Sequence, residues 1–472
     1  MSEEPAATDA ASDAARRLTA LGERLWTQDE ATALKELRDS LPLLRTVAAL
    51  SLPLSAALLP AFWMTGHAEE GYELAKELCP PDLPEDVASR VMDGEDPELC
   101  FPLESEPASA AALAAPAFLR DVPRALLLAC CMDGGGQCAY ACTRYDEAAR
   151  LHASALHLVV AFEHGEGGEG GEGGALDAAL LRSRALDGLG RVARESGRYE
   201  RSLALHAAAA RAAVGLERRA AEARCPFRLR PEPRACVANA VSNAGVAAYR
   251  KGELELARRC HEEARRLRDA LSDLRGTSST LGNLALLTAD ASEALALYEA
   301  SLQIRERLGD TWGVAGSHRA MATLLLKRRR AGDEAGARAH LQRALPIFAS
   351  VNDALGVAEC LESLALLLAG SAAARPAAAE LLGCAVGVRR ASGAAIDVVT
   401  AHAEAAALRA AHTEEWARGE RMNLAEALAL AEAAAAGLPA AAASAAAPVS
   451  VSPHTGMTPS TKASIADDSR SA

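Results

Sequence analysis

The sequence predicts an all-α fold, a right-handed superhelical solenoid of helix-turn-helix hairpins, on three observations. Aromatic residues are only 3% of the 472 positions while the hydrophobic share is 50% and rich in alanine, which favours close helix packing over sheets, whose faces want branched and aromatic side chains. A four-residue stripe of small and apolar side chains recurs along the chain. Three Asp-x-x-Gly junctions fall in phase with that stripe.

Taken in order, residues 1–20 are rich in Ala, Ser, Asp and Glu and read as a disordered tail, and residues 21–79 as N-terminal helical hairpins. Within the latter, Thr46 to Gly66 carries no charge over a length that could cross a bilayer. Pro53 and Pro60 break it and no basic cluster flanks it, so a buried helical hairpin is expected there over a membrane span. Residues 80–123 are Pro-rich and read as a long loop, 124–164 as a degenerate hairpin, and the Gly/Glu run 165–174 as a flexible linker. The main repeat array is expected over 175–390, capping helices over 391–436 and a disordered tail over 437–472.

The stripe is clearest as Tyr145, Ala148, His152 and Ala155, repeated as Tyr199, Ser202, His206 and Ala209, and as Leu254, Ala257, His261 and Ala264. Later copies are Ala291, Ala294, Tyr298 and Ser301, then Glu334, Ala337, Leu341 and Ala344. Spacings of three and four put each set on one side of a helix, with small residues where a neighbour comes close. Successive copies lie 54, 55, 37 and 43 residues apart, so the array is irregular, with an insertion around Cys225 to Arg234. A second helix carries the pairs Leu189-Gly190, Ala244-Gly245, Leu281-Gly282, Met321-Ala322 and Leu364-Ala365. Turns are expected at Gly197, Gly252 and Gly332, and helix caps at Asp273, Asp310 and Asp353.

These hairpins resemble tetratricopeptide repeats, with Leu-Gly in the first helix, Gly-x-Tyr at the turn and small residues in the second. More narrowly, three segments resemble the MalT-like repeat region of bacterial LuxR-type ATPase regulators. They are Leu308-Gly309-Asp310, the run Phe62 to Gly71, and Glu415 to Gly419 with Asn423 to Ala427. The sequence departs from those regulators in having no G-x-x-x-x-G-K-[ST] loop and no DNA-binding helix pair beyond the repeats.

A net charge of −13 argues against nucleic acid as a partner. Eleven cysteines without compact disulfide spacing, behind an acidic start, suit reduced thiols in a cytoplasmic setting. Cys130, Cys131, Cys138 and Cys142 cluster without the paired C-x-x-C of a zinc site, so no metal is expected and they read as small helix residues. Gly134-Gly135-Gly136 reads as a loop and lacks the context of a phosphate cradle. The basic run Lys327 to Arg330 suits a helix C-terminus, with a targeting signal or an acidic-partner contact as the other readings. His152, His206 and His261 are a full repeat apart and are expected to fill helix seams instead of forming a metal ladder.

With no nucleophile-base pair, metal signature or cofactor loop, the expected function is a non-catalytic scaffold whose partner is another protein or a peptide, with no cofactor. First helices of such hairpins line the concave surface, which selects Arg184, Arg191, Asn239, Asn243 and Arg319 as candidate groove residues. The resemblance to tetratricopeptide proteins implies that Asn243 would hold a ligand's backbone. Arginines suit carboxylates on a partner, while a solvated polar face is the plainer reading of the same residues. The alternative function is a sensor fragment of a LuxR-like switch lacking its ATPase and DNA-binding modules.

Overall fold

The computed structural model describes residues 68–78, 124–164, 171–216, 233–351, 353–391 and 403–435, with isolated positions 59, 62, 90, 92 and 93. Outside them lie both tails, most of the uncharged stretch 46–66 and of the Pro-rich region 80–123, residues 165–170, and the insertion 225–232. The described elements are helical, with no strand among them. No helix of the described residues is long and apolar enough to cross a membrane.

After α1 (Ala68–Leu78), six antiparallel hairpins follow. They are α2 (Arg124–Ala141) with α3 (Tyr145–His164), α4 (Gly171–Glu195) with α5 (Tyr199–Ala213), and α6 (Pro233–Lys251) with α7 (Leu254–Leu271). The other three are α8 (Leu274–Leu287) with α9 (Ala291–Arg307), α10 (Thr311–Arg328) with α11 (Asp333–Ser350), and α12 (Ala354–Ala369) with α13 (Arg375–Ala391). Each hairpin stacks on the next, and the first helices α2, α4, α6, α8, α10 and α12 also meet one another in chain order, which makes them the inner layer. The hairpins thus form a helix-turn-helix repeat of the tetratricopeptide kind.

The striped residues are the seams. His206 of α5 lies over Gly190 of α4, where an added Cβ would stand 2.6 Å from the ring, and His261 of α7 lies likewise over Gly245 of α6, at 2.8 Å. His152 of α3 is held between Gly136 of α2 and Gly188 of α4. All three rings are buried. Small residues in the first helix therefore make room for a flat ring in the second, and the hydroxyls on the stripe tie the backbones together. Ser202 Oγ donates to the Gly190 carbonyl and Ser301 Oγ to that of Ser278, both at 2.7 Å.

The Gly134 to Gly136 segment is not a loop but the interior of α2. Glycine weakens a helix by about 1 kcal/mol against alanine, but here the missing side chains admit Ala75 of α1 at Gly135 and His152 at Gly136. Packing overrides propensity. The same holds at the start of α4, which begins at Gly171 inside the Gly/Glu run and has Gly174 already buried.

Junctions between hairpins are built alike. Asp273, Asp310 and Asp353 precede α8, α10 and α12, and each side chain accepts from the glycine amide three residues on, at 2.8, 3.0 and 2.8 Å. Those glycines leave room for a side chain from the preceding helix: Arg268 at Gly276, Arg305 at Gly313 and Phe348 at Gly356. The arginines also donate to the carbonyls of Gly276 and Gly313, at 2.9 and 2.7 Å. Within hairpins, Gly197 and Gly252 turn at φ +76 and +92. Of the basic run, Arg328 pairs with Asp333 and Arg329 adopts the left-handed cap of α10.

The C-terminal end is closed by α14 (Ala403–Ala411), α15 (Thr413–Gly419) and α16 (Leu424–Ala435). Gly383 of α13 and Gly419 of α15 cross with backbone against backbone. Asn423 and Glu426 cap α16 reciprocally, at 3.0 and 2.9 Å. Large apolar clusters occupy the two ends, around Leu126, Leu156 and Leu189 and around Phe348, Leu361 and Trp416. Between them the α7–α8 seam is polar, with buried Arg268 donating to Ser242, Gly276, Thr280 and Asn239. Leu355 of α12 packs against the N-terminal cluster, so the array curls back toward its earlier hairpins.

Two expectations follow from the seams. Gly245→Leu drives a side chain into His261 and should cost about 1–3 kcal/mol by overpacking, measured by urea unfolding; a parental midpoint would contradict the close approach. Burial, aided by Arg268, lowers the His261 pKa to about 4. Above pH about 6.5 the imidazole is neutral in both states, whereas between 6.5 and 4 the unfolded chain alone takes up the proton. Stability should therefore fall by on the order of 2–3 kcal/mol across that window and level off below it. His261→Gln should flatten this part of the pH–stability curve.

Candidate functional site

The inner face is lined with charged and amide side chains that hold one another from hairpin to hairpin. Asp133 of α2 is fully buried and receives Arg184 Nη2 of α4 at 2.7 Å, His152 Nδ1 at 3.0 Å and Gln137 Nε2 at 2.9 Å. Burial pushes the Asp133 carboxyl up, but the Arg184 guanidinium and the His152 ring outweigh it and hold the pKa near 2. One repeat on, Asp187 of α4 meets His206 Nδ1 at 2.8 Å and accepts from Asn243 Nδ2 of α6 on both oxygens, at 3.1 and 3.0 Å. Here too burial is outweighed, by His206, Arg191 and Asn243, and the pKa is lowered. The carboxylates sit three residues before the glycines that carry the rings, at Gly136 and Gly190.

Arg191 of α4 lies over the Tyr140 ring, 4.7 Å from its centre, with no hydrogen-bond acceptor for its buried Nε. Tyr140 Oη donates to Glu195 at 2.9 Å and accepts from Arg194 Nη2 at 2.8 Å. Burial lifts the phenol to about 12, which keeps it protonated and able to donate. Asn239 is exposed on α6 and accepts from Arg268 Nη2 at 2.9 Å.

Farther along, the inner face is a second charge cluster. Glu359 of α12 stands among Arg319 of α10, Arg250 of α6 and Arg389 of α13, at 3.1, 3.9 and 3.9 Å. Glu362 takes Arg389 Nε at 2.7 Å, yet its burial still raises the carboxyl pKa. At the start of α10, the half-exposed Trp312 donates from Nε1 to Asp353 at 2.6 Å.

All five groove candidates are thus on first helices, but each is held by another side chain of the protein. Arg184 and Asn243 join adjacent first helices, Arg191 and Asn239 hold to Tyr140 and Arg268, and Arg319 belongs to the Glu359 cluster. Asp133, Glu195, Arg250, Glu359, Glu362 and Arg389 complete the networks and were not expected from the sequence. Asp133-x-x-Gly136 and Asp187-x-x-Gly190 carried a readable signal, since each pairs with a striped His. Glu359 carried none, because one of its partners, Arg250, lies more than a hundred residues away in the sequence.

Burial pushes the Cys130 and Cys142 thiols up, the latter to about 12, which keeps them protonated. Among the described residues no three His, Cys, Asp or Glu side chains gather as metal ligands.

Breaking the first network has a measurable cost. Asp133→Asn removes the buried charge partner of Arg184 and should destabilise by about 3–5 kcal/mol. Pairing it with Arg184→Met should recover part of that loss, a coupling read from a double-mutant cycle in urea; strict additivity would contradict the ion pair.

No family model matches the chain, and no curated protein matches it. Solved structures similar to it include that of a Rap protein complexed with competence and sporulation factor. The identity is 11% over 87% of this chain and 100% of the other, with a TM-score of 0.47. A second is the Rap conjugation gene regulator of plasmid pLS20 in complex with the Phr* peptide, at 14% identity over 79% and 98% of the two chains, with a TM-score of 0.41. At these identities and scores no residue role is carried across.

Proposed function

We propose that this chain is a non-catalytic tetratricopeptide-like scaffold that binds a peptide segment of another protein along the inner face of its first helices. The observation that supports this is the convergence of polar side chains from α2, α4, α6, α10 and α12 on one wall, each oriented by a neighbour from another hairpin. Such a wall offers oriented donors and acceptors from several hairpins, which suits recognition of a peptide backbone and its charged side chains.

In this reading Asn239 and Asn243 meet the peptide bonds of the ligand, while Arg184, Arg191 and Arg319 set its charge preference. Asn243 already spends its amide hydrogens on Asp187, leaving its carbonyl oxygen for a ligand N–H. The main array, residues 175–390, supplies the wall from Arg184 onward, the hairpin 124–164 adds Asp133, and 391–436 cap it. The buried, protonated thiols fit a reducing cytoplasmic setting. The segments Leu308-Gly309-Asp310 and Glu415 to Gly419 favour a narrower version, a sensor part of a LuxR-like switch, which would require partner binding to change with a small-molecule inducer.

The test is capture by the full chain against two variants. Arg191→Ala with Asn243→Ala alters the inner wall, and Arg266→Ala alters an exposed residue of a second helix. A partner retained by the parent and by Arg266→Ala but reduced at least about tenfold by the inner-wall pair is expected, in line with the loss of one or two charge-assisted contacts. Equal capture by all three would place the interface elsewhere.

A further inference from the structure

His318 of α10 and His340 of α11 are held unlike the buried histidines of the earlier hairpins. His152 and His206 each turn Nδ1 to a carboxylate, Asp133 and Asp187. His318 and His340 turn Nδ1 to each other, at 3.0 Å, with ring centres 5.2 Å apart and planes tilted by 34°. One ring donates its N–H and the other accepts, so two Nδ1 positions converge between the helices of the fifth hairpin. Burial, aided by the facing ring and by Arg343, lowers the His318 pKa to about 4. Burial and Arg343 also lower that of His340, against a rise from Glu299, so both imidazoles are neutral at pH 7. Neutral imidazole is the form that binds metals, through Nδ1 or Nε2. With bonds of about 2.0–2.1 Å, two nitrogens on one ion stand about 3.3 Å apart in a tetrahedron and about 2.9 Å apart across a right angle. The spacing of the His318 and His340 nitrogens falls between these values.

We propose that His318 and His340 chelate a divalent transition-metal ion through their Nδ1 atoms, with water in its remaining positions. The inference is independent of the peptide-groove reading. Imidazole selects ions such as Zn²⁺ and Ni²⁺ over Mg²⁺ and Ca²⁺, which take oxygen ligands. His318 is buried and forms the floor of the site, whereas His340 is half-buried, so the ion enters past His340. Two charged neighbours act on it in opposite senses: Arg343, exposed one turn beyond His340, opposes a cation, and Glu299, exposed on α9, favours one. Coordination releases no net proton, because the Nδ1 proton shared in the free chain moves to Nε2 of its own ring. The bound ion replaces one hydrogen bond by two metal–nitrogen bonds. It thereby ties α10 to α11 beside Arg319, the residue that follows His318 and reaches Glu359.

The test is calorimetric titration of the full, reduced chain with NiCl₂, ZnCl₂ and MgCl₂, beside His318→Ala, His340→Ala and His340→Phe. The chain has 11 histidines and 11 cysteines, so the quantity read is the difference between parent and variant. The parent is expected to bind one equivalent of Ni²⁺ or Zn²⁺ that each variant loses or holds at least about tenfold more weakly, and to show no such difference with Mg²⁺. His340→Phe keeps a flat ring and removes the nitrogens, so it separates coordination from packing. Both His340 variants change a half-buried side chain and decide the matter even if His318→Ala fails to fold. A difference with Zn²⁺ alone assigns a tetrahedral ion, and one with Ni²⁺ alone a square or octahedral ion; with both, the rings adjust to either. Equal binding of Ni²⁺ and Zn²⁺ by the parent and by the His340 variants overturns the site, as does a Mg²⁺ difference of the same size. No binding of either ion by the parent also overturns it.

Discussion

The structure depends on how closely the two helices of a hairpin approach, and that distance is fixed by a ring lying on a glycine. A Cβ at Gly190 or Gly245 would collide with His206 or His261, so the seam exists only because one side is bare and the other is flat. Interiors packed at crystal density transmit such a constraint outward. Once the seam is closed, the stripe hydroxyls reach the facing carbonyls and the turns fall where the chain must reverse. The next hairpin then starts from a fixed Asp cap. Polar rings in these seams are tolerable because two of the three have a carboxylate one helical turn from the glycine they cover.

The inner wall follows from the same stacking. Consecutive first helices are brought side by side, so a carboxylate on one meets an arginine or an amide on the next. Asp133 with Arg184, Asp187 with Asn243 and Glu359 with Arg319 are three instances. A buried charge pair of this kind adds little net stability over an apolar pair, but it penalises any register in which one partner is left alone. The pairing is tight around Asp133, whereas around Glu359 the Arg250 and Arg389 guanidinium groups stand 3.9 Å off.

The fold was legible to the degree that it is periodic. Stripes, small pairs and Asp-x-x-Gly junctions are local patterns, and the helices obey them from α3 to α12. Gly134 to Gly136 misled because helix propensity is a local average, and three glycines in a row outweigh it unless the neighbouring Ala75 and His152 are known. The candidate site was half legible. Helix periodicity places Arg184, Arg191, Asn239, Asn243 and Arg319 on the inner side of first helices, but their partners belong to other hairpins. With repeats spaced from 37 to 55 residues, no fixed offset points from Arg250 to Glu359.

The polar α7–α8 seam makes the array mechanically uneven. In a stacked repeat most load passes between nearest neighbours, and here the contacts of Leu355 and Glu359 with earlier hairpins carry a share of it. The two ends hold broad apolar clusters, whereas at the α7–α8 seam Arg268 bonds Gly276 and Thr280 across the junction and Ser242 and Asn239 of α6 within its own hairpin. Hydrogen bonds let go over a fraction of an ångström, while apolar faces slide before they part. Pulled apart, this seam would let go abruptly, and Arg268 is the pin that fastens α6, α7 and α8 there.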